Sequence, residues 1–431
     1  MAKSINIGLI GFGNIGTGVV RAMNENRGLI NAKLPCPIRI ARIADIDLKT
    51  RRAVKYDKRL LTKDAFSVIN DPEIDIVIEL IGGTKAAKKI VEQALRNKKH
   101  VVTANKALLS HFGARLLSLA EKNGVCLLFE AAVGAGIPII RSLGSSFAAN
   151  RITAIRGIMN GTTNYILTKM EEQGRDFSDV LREAQDKGYA EPDPTFDVEG
   201  YDTAHKLSIL ASLAFRQDIR FKSVFVRGIT RVQKEDLAYA REMGYTVKLL
   251  GIAKLNKDQS AEVRVHPTLI PRHAMLASVK DVFNAILIEG NPIGPQMLYG
   301  HGAGWGSTSS AVLGDVMELA RFIASGNLPA SPFSIPVGNN KIKPIEELET
   351  AYYIRMTLRD IPGMLAKVSK VFGDEKISIK TVVQKTSDPG KYASAIFITH
   401  KAHEGSLQTA LGQLSRKRIC KGKPFVLRVE E

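Results

Sequence analysis

The sequence has 431 residues, of which 45% are hydrophobic and 24% charged, as is typical of a soluble globular protein of two or three domains. Its formal net charge of +18 comes from scattered lysines and arginines, with one dense run at 416–423 and no nucleic-acid-binding motif, which argues against nucleic-acid and membrane partners. Its three cysteines, Cys36, Cys126 and Cys420, lie far apart, which argues against disulfides and a zinc site and indicates the reducing cytoplasm.

The first 150 residues alternate between short apolar runs and helical patterns. The strand-like runs are 5–10, 38–45, 75–82, 100–104 and 125–133, and the helical patterns include 84–97 and 113–124. Such alternation predicts a parallel sheet covered on both faces, and so a Rossmann-type α/β domain over 1–150. The first run is too short to span a bilayer and lacks a cleavage site, so we predict no signal peptide.

The pattern becomes mixed from residue 151, which predicts an α+β domain over 151–304. A helix expected around 305–326 returns to complete the first domain. Prolines then mark a linker over 327–350. They are Pro329, Pro332, Pro336 and Pro344. The tail, 351–431, has the order strand, helix, strand, strand, helix, strand, which is that of a ferredoxin-like domain.

A glycine motif follows the first predicted strand and opens a helix, which is the context that a nucleotide-binding turn requires. Its glycines permit a tight turn, the approach of a pyrophosphate, and close packing of the helix on the strand. The alternative is a sharp turn that binds nothing. The candidate cofactor-binding residues of this turn are Gly11, Phe12, Gly13, Asn14, Ile15 and Gly16.

Asp45 ends the second predicted strand, where an acid can accept hydrogen bonds from an adenosine ribose. No arginine directly follows it, which slightly favours NAD. Lys49, Arg51 and Arg52 are close enough in sequence to reach a 2′-phosphate, so NADP stays open. Thr84, at the start of a helical pattern, is a further candidate cofactor contact.

Two lysines are candidates for carbonyl reduction, which needs a group that polarises the oxygen and a source of a proton. Lys106 lies just past the carboxyl end of a predicted parallel strand, where open α/β sheets bind ligands. Lys206 follows Asp202 by one helical turn, so the two share a helix face. A solvated surface ion pair is the alternative for this pair.

An acidic segment leads into the helix that carries Lys206. Pro192 and Pro194 stiffen a loop that holds Glu191, whose carboxylate could bind the ammonium group of a substrate. His205 points to another face of the helix and is expected to be structural.

Five segments resemble homoserine dehydrogenase and occur in the order of that family. They are TANK at 103–106, EAAVGAGIPII at 130–140, NGTTNYIL at 160–167, GYAEPDPTFDVEGYDTAHK at 188–206 and GHGAG at 300–304. The tail, with TLRDIPGMLAKVSKVF at 357–372, resembles an ACT domain, an amino-acid-sensing module. The resemblance implies reversible NAD(P)H-dependent reduction of L-aspartate 4-semialdehyde to L-homoserine, on the path to threonine and methionine.

The resemblance also implies roles for individual residues. Lys206 resembles the proton donor and acceptor, and Asp202 its partner at the reacting oxygen. Glu191 resembles the acid that holds the amino group of the substrate, and Lys106 a lysine beside nicotinamide and substrate. Gly302 is implied to contact the nicotinamide.

A monovalent cation, commonly sodium, is also implied by the resemblance. Its ligands would come from Glu130 and the carbonyls of Val133, Ala135 and Ile137. The residues alone predict only a strand end and a loop there. The sequence departs from the family after GAG, where Ser307 replaces the usual proline and is expected to cap the next helix.

The resemblance to homoserine dehydrogenase implies that the domain over 151–304 serves substrate binding and dimerisation, and therefore a homodimer or homotetramer. The ACT resemblance implies an L-threonine effector bound at the turn Asp360-x-Pro362-Gly363. A degenerate ACT domain that only mediates assembly is the alternative. Three other functions stay open on the sequence: another NAD(P)-dependent dehydrogenase of amino-acid metabolism, a non-catalytic sensor, and a nucleic-acid binder.

Overall fold

A computed structural model describes residues 4–326, 333–384 and 391–431. Pro329 and Pro332 of the predicted linker lie outside these residues. The chain divides into two compact units, each made of three segments. The first unit consists of Met1–Ile155, His205–Val224 and Asn284–Lys341, and the second of Arg156–Ala204, Phe225–Phe283 and Ile342–Glu431.

The helices and strands of the described residues are numbered in chain order. The strands are β1 (Ile5–Ile10), β2 (Ile38–Ala44), β3 (Leu61–Thr62), β4 (Ile76–Glu79), β5 (His100–Thr103), β6 (Leu127–Leu128), β7 (Arg151–Ile158), β8 (Phe225–Val226), β9 (Tyr245–Leu255), β10 (Ala261–Pro271), β11 (Phe283–Asn291), β12 (Gly294–His301), β13 (Glu349–Thr350), β14 (Tyr352–Arg359), β15 (Ile379–Val383), β16 (Tyr392–Thr399), β17 (Ala402–His403) and β18 (Cys420–Val429). The helices are α1 (Asn14–Glu25), α2 (Arg27–Ala32), α3 (Ala65–Ile69), α4 (Lys85–Arg96), α5 (Lys106–Lys122), α6 (Ile139–Arg141), α7 (Gly161–Gln173), α8 (Phe177–Asp186), α9 (Thr195–Val198), α10 (Tyr201–Phe215), α11 (Lys234–Glu242), α12 (Trp305–Ser325), α13 (Met364–Asp374) and α14 (Glu404–Arg416).

The first unit contains a parallel sheet with the strand order β3-β2-β1-β4-β5-β6. Every residue of β1 and β4 is buried, which explains why these strands are continuous apolar runs rather than alternating ones. The predicted Rossmann-type sheet is confirmed. Helix α12 packs against this sheet and α1, with Val316 and Leu319 in the same core as Leu9 and Val19.

The second unit contains a mixed sheet. Strands β9 and β10 pair antiparallel along their whole lengths, and β18 runs parallel to the end of β10. Strands β14, β16 and β15 continue the sheet beyond β18 with antiparallel pairing. The predicted α+β character of the middle segment is confirmed.

The C-terminal segment follows the order β14-α13-β15-β16-α14-β18, which confirms the predicted ferredoxin-like fold. Its core is formed by one face of the sheet and the two helices, for example Phe372 of α13, Leu407 of α14 and Phe397 of β16. Across the described residues, no helix is both long and apolar enough to cross a membrane.

Candidate active site

The glycine turn joins β1 to α1 in the first unit. Gly11 has φ +99°, and a Cβ on Gly16 would lie 2.1 Å from the carbonyl oxygen of Gly11, so glycine is required at both positions. Helix α1 begins after Gly13 with no side-chain cap and no acid in its first turn. Its first N–H groups and its dipole can therefore receive a pyrophosphate.

Asp45 and Arg52 hold this turn in place. The Phe12 N–H donates to Asp45 Oδ2 at 2.5 Å, and Arg52 Nε donates to the Phe12 carbonyl at 3.0 Å. The Arg52 guanidinium also lies 3.6 Å from Asp45 and over the Phe12 ring. The Arg52 side chain is only 5% exposed, whereas Lys49 and Arg51 are exposed. Arg52 is thus a structural part of the turn, and only the other two cations are accessible for a 2′-phosphate.

Lys106 is the first residue of α5, and a buried hydrogen-bond network fixes the start of that helix. Thr103 donates from Oγ1 to the buried Glu79 carboxylate at 2.7 Å and accepts from the Asn105 N–H at 3.0 Å. Asn105 caps α5 by accepting from the Leu108 N–H, and its amide donates to the Gly83 carbonyl at 2.7 Å. Burial raises the pKa of Glu79. The network ties the loops after β4 and β5 together beneath Lys106.

Lys206 lies in α10 and is 7% exposed. Its neighbour His205 is hydrogen-bonded through Nδ1 to Ser110 Oγ of α5 and stacks on the Phe221 ring at 4.1 Å. This packing favours the structural interpretation of His205. It also joins α10 to α5 at a point adjacent to Lys206 and one helical turn from Lys106.

The second unit holds Asp202, which is 3% exposed. Asn160 donates from Nδ2 to Asp202 Oδ2 at 2.9 Å and to Asp197 Oδ1 at 2.7 Å. Its own Oδ1 accepts from the Thr163 N–H at 2.8 Å and so caps α7. One asparagine therefore fixes the Asp202 carboxylate to the start of a rigid helix.

Glu191 is exposed in the loop between α8 and α9. Gln185 of α8 donates from Nε2 to the carbonyls of Glu191 and Pro192, each at 3.2 Å. Asp193 accepts from the Thr195 N–H at 3.1 Å, which shapes the turn into α9. The backbone is thus held while the Glu191 carboxylate stays accessible to a ligand.

Gly302 lies against Asn284 in the first unit. A Cβ on Gly302 would lie 1.8 Å from Asn284 Nδ2, so only glycine fits. Asn284 Oδ1 is buried, and no partner for it is found in the described part of the chain. Thr84, the residue that precedes α4, is half-buried and makes no side-chain cap bond.

The expectation that Ser307 caps the next helix is wrong. Helix α12 begins at Trp305, because Gly304, with φ +111°, serves as the residue before it. Ser307 lies inside the first turn, where its hydroxyl donates to the carbonyls of Ala303 and Gly304 at 2.9 and 3.1 Å. The hydroxyl therefore braces the end of the GHGAG segment from within the helix.

Glu130 is buried, and N–H groups already occupy its carboxylate. The Ile140 and Arg141 N–H groups donate to it at 2.9 and 2.7 Å, and burial raises its pKa. Its own N–H donates to Asp315, whose pKa burial raises to about 8. No cluster of three or more acids, histidines or cysteines suited to a metal occurs among the described residues. Any cation here would depend on carbonyl oxygens.

Sequence reasoning assigned no role to Glu79, Asn160 or Asn284. The signal for Glu79 is a charged residue inside the apolar run DIVIELIG. Asn160 lies inside the quoted NGTTNYIL segment, directly before a helix, where a capping residue is expected. Asn284 carries no comparable signal, because its position under Gly302 is a tertiary contact.

Known proteins match this chain over nearly its whole length. Residues 11–130 match the family described as homoserine dehydrogenase, NAD binding domain, residues 138–317 match homoserine dehydrogenase, and residues 352–418 match the ACT domain. The first of these matches supports NAD(P) binding at the glycine turn.

Individual relatives agree with these family matches. The chain is 39% identical to a homoserine dehydrogenase of Neisseria gonorrhoeae, over 99% of this chain and 98% of that protein. A crystal structure of a homoserine dehydrogenase from Thiobacillus denitrificans is 41% identical, with a TM-score of 0.93 over 100% of this chain and 99% of that one. A hyperthermophilic archaeal homoserine dehydrogenase in complex with NADPH, 23% identical, shares the fold with a TM-score of 0.62 over 76% of this chain and 100% of that one. The chain therefore belongs to the homoserine dehydrogenase family of oxidoreductases.

Proposed function

We propose that this chain catalyses the reversible reduction of L-aspartate 4-semialdehyde to L-homoserine, with Lys206 as the proton donor and acceptor. The supporting observation is the burial of Lys206 and Asp202 one turn apart in α10, with Asp202 held by Asn160. Burying a lysine and a carboxylate removes both from water at a cost in stability, which a solvated surface pair does not incur. The burial therefore disfavours the surface-pair alternative.

Four side chains of this chain have roles in the proposed reaction. NAD(P)H, when bound, supplies the hydride to the aldehyde carbon. The Lys206 ammonium donates its proton to the carbonyl oxygen as negative charge develops there, and neutral Lys206 accepts the hydroxyl proton in the reverse direction. Asp202 is the partner of Lys206 at the reacting oxygen. Lys106 polarises the substrate, and Glu191 binds its ammonium group.

The test is reduction of NAD⁺ and of NADP⁺ with L-homoserine by the wild-type protein. We expect turnover with both and a preference for NAD⁺, because Arg52 is committed to the Phe12 carbonyl and only the exposed Lys49 and Arg51 remain for a 2′-phosphate. Initial rates over a range of each cofactor give the two kcat/KM values. If neither cofactor supports turnover, the proposed reaction is refuted. A higher kcat/KM for NADP⁺ than for NAD⁺ would refute only the cofactor preference.

A monovalent cation, proposed to be sodium, fits the loop after Glu130. The carbonyl oxygens of Val133 and Ala135 accept no hydrogen bond within the described residues, although both residues are buried. Buried carbonyls without partners are costly, and a hard cation prefers oxygen ligands. Together with the Glu130 and Ile137 carbonyls they would hold the ion and stiffen the loop. The same assay, run in choline chloride instead of sodium chloride, tests this site.

Asn160→Ser is expected to lower kcat roughly tenfold or more, because serine still caps α7 but no longer donates to Asp202 and Asp197. The unfolding midpoint should fall modestly, since the cap is retained but the buried Asp202 carboxylate loses a hydrogen bond. Steady-state kinetics and urea unfolding of the variant and the wild type provide the comparison. If kcat is unchanged, the Asn160 amide has no part in positioning Asp202.

L-Threonine is the proposed effector of the ACT domain. Strand β14 ends at Arg359, and α13 begins after Gly363, which has φ +80° and provides no side-chain cap, so the start of α13 can receive a carboxylate. Millimolar L-threonine should lower the rate of homoserine oxidation and raise the melting temperature, with D-threonine as the control. No effect on either quantity would favour the alternative of a domain that serves assembly only.

We also propose a homodimer or homotetramer that works in the cytoplasm. The cytoplasmic location is supported by the cysteines, Cys36, Cys126 and Cys420, which are all free and buried. Sedimentation velocity should give the mass of two or four chains, and a monomer would contradict the assembly.

A further inference from the structure

A pocket lies within the second unit, apart from the residues that the reaction uses. It is bounded by the C-terminal half of α7, the end of α11, the start of β9 and the segment after β10. Its volume is about 260 Å³, which is room for a small ligand or several waters. Its lining includes Thr168, Arg241, Lys248 and Arg272.

Lys248 is a buried cation with spare capacity to donate. Its residue is 3% exposed, and its Nζ donates to Asn164 Oδ1 at 3.2 Å and to the Val279 carbonyl at 2.6 Å. Both acceptors are neutral, and no carboxylate lies within ion-pair distance of Lys248 in the described residues. An ammonium has three donors, so one remains. Burial lowers the pKa of Lys248 to about 8, so the group is still mostly charged at neutral pH.

The remaining charges of the pocket leave a positive excess. Arg272 pairs with Glu171 at 2.9 Å, and Lys280 pairs with Glu172 at 2.7 Å, so these four charges cancel. Arg241 is exposed at the end of α11, and its guanidinium makes no hydrogen bond or ion pair with the described part of the chain. Lys248 and Arg241 are therefore the two cations of the pocket that make no ion pair among the described residues, although Glu171, Glu172 and Asp281 act on Lys248 from a greater distance.

A buried hydroxyl provides an independent sign of a ligand. Thr168 lines the pocket at 4% exposure, and its Oγ1 has no hydrogen-bond partner among the described residues. The neighbouring Thr246 hydroxyl, by contrast, donates to Glu171 at 2.5 Å. Buried polar atoms are normally paired, so Thr168 Oγ1 calls for an acceptor or donor that the protein does not provide.

We propose that this pocket binds a small oxyanion, the group that carboxylates and phosphates share. Lys248 donates to it from the buried end, Thr168 donates from its hydroxyl, and Arg241 attracts it at the mouth. The paired Glu171 and Glu172 keep the pocket from being uniformly cationic, which favours a small anion over an extended polyanion. The proposal does not depend on the reaction proposed above.

The test is calorimetric titration of the full-length protein with inorganic phosphate and, separately, with acetate. Saturating NAD(P)⁺ keeps the glycine turn occupied, and added chloride keeps the ionic strength constant. We expect saturable binding of one ion per chain by at least one of the two probes, and the probe that binds more tightly identifies the source of the oxyanion. Heat that does not saturate for either probe would overturn the proposal and would indicate a pocket that holds only water.

Variants locate the binding. Arg241→Gln should weaken it by about fivefold or more, and Lys248→Met should abolish it. Arg182→Gln is the matched control, because Arg182 is also an exposed helical arginine of the second unit but does not line the pocket. If Lys248→Met fails to fold, the affinity of Arg241→Gln for the oxyanion alone tests the proposal. Equal affinity in Arg241→Gln and the wild type would place the bound ion elsewhere and overturn the proposal.

Discussion

Replacing Lys206 with methionine is expected to lower kcat for homoserine oxidation by a factor of about 10²–10⁴, the range typical of losing a general acid or base. Methionine is similar in length, and its apolar chain suits a site that is only 7% exposed, so the fold should be retained. Cofactor affinity should change little, because Lys206 lies on α10 and the glycine turn lies between β1 and α1. Steady-state rates in both directions, cofactor titration and circular dichroism measure these effects.

Lys122→Met is the matched control for this experiment. Lys122 is an exposed lysine in the last turn of α5, far along that helix from Lys106. Its replacement should leave kcat within about twofold of the wild type, as for most surface substitutions. If Lys206→Met is folded and as active as this control, Lys206 is not the proton donor and acceptor.

The sequence was sufficient to predict the parallel sheet and the ferredoxin-like tail, because both depend on local patterns. Runs such as residues 5–10 are apolar throughout, and the strands they form are buried on both faces. In the tail, strand and helix patterns alternate in the order that the structure shows. What the patterns did not reveal is that β18 pairs with β10, since this contact joins residues 160 positions apart, such as Thr268 and Arg428.

In the site too, local motifs predict individual residues but not the contacts between residues that are distant in sequence. Motifs singled out Lys106, Lys206 and Asp202 as candidates, because each stands at a recognisable place in a helix or at a strand end. The link from Asn160 to Asp202 spans 42 residues and joins the residue before α7 to the first turn of α10, which no local pattern encodes. The Glu79 carboxylate likewise acts on Thr103, 24 residues away.

Arg52 and Ser307 show that a role predicted from the type of residue can be wrong when the structure places that residue differently. Arg52 counts as a surface cation by sequence, but its hydrogen bond to the Phe12 carbonyl buries it against the turn. Ser307 is a good capping residue by type, yet Gly304 starts the helix earlier and leaves Ser307 in the first turn. In both cases a backbone feature decided the outcome, namely the Phe12 carbonyl for Arg52 and the start of the helix at Trp305 for Ser307.

Glu430→Gln is expected to destabilise the second unit by about 3–5 kcal/mol at neutral pH, the usual cost of removing one partner from a buried ionic cluster. Glu430 follows β18 and is 6% exposed. Its carboxylate contacts Arg156 of β7 at 2.7 Å, Lys254 of β9 at 2.5 Å and Arg264 of β10 at 3.1 Å. A neutral amide would leave these cations without their shared carboxylate, so the free energy of unfolding should fall.

The effect should depend on pH in a defined direction. Burial raises the pKa of Glu430, but the charges of Lys254, Arg264 and Arg156 outweigh burial, so the pKa lies below its usual value. The carboxylate therefore stabilises the fold at pH values above the ordinary glutamate pKa of about 4.3, and this contribution is lost as the pH falls through the lower folded-state value. The difference between wild type and Glu430→Gln should accordingly shrink in acid.

Urea unfolding at neutral and acidic pH, followed by circular dichroism, measures this difference through the unfolding midpoint. Glu431→Gln is the matched control, because the adjacent Glu431 is exposed and makes no ion pair among the described residues. Its midpoint should match that of the wild type at both pH values. If Glu430→Gln behaves like Glu431→Gln, the cluster does not stabilise the pairing of β18 with β10. A lower midpoint for Glu430→Gln than for Glu431→Gln would show that the Glu430 carboxylate helps to hold the C-terminal strand β18 against the strands of the middle segment.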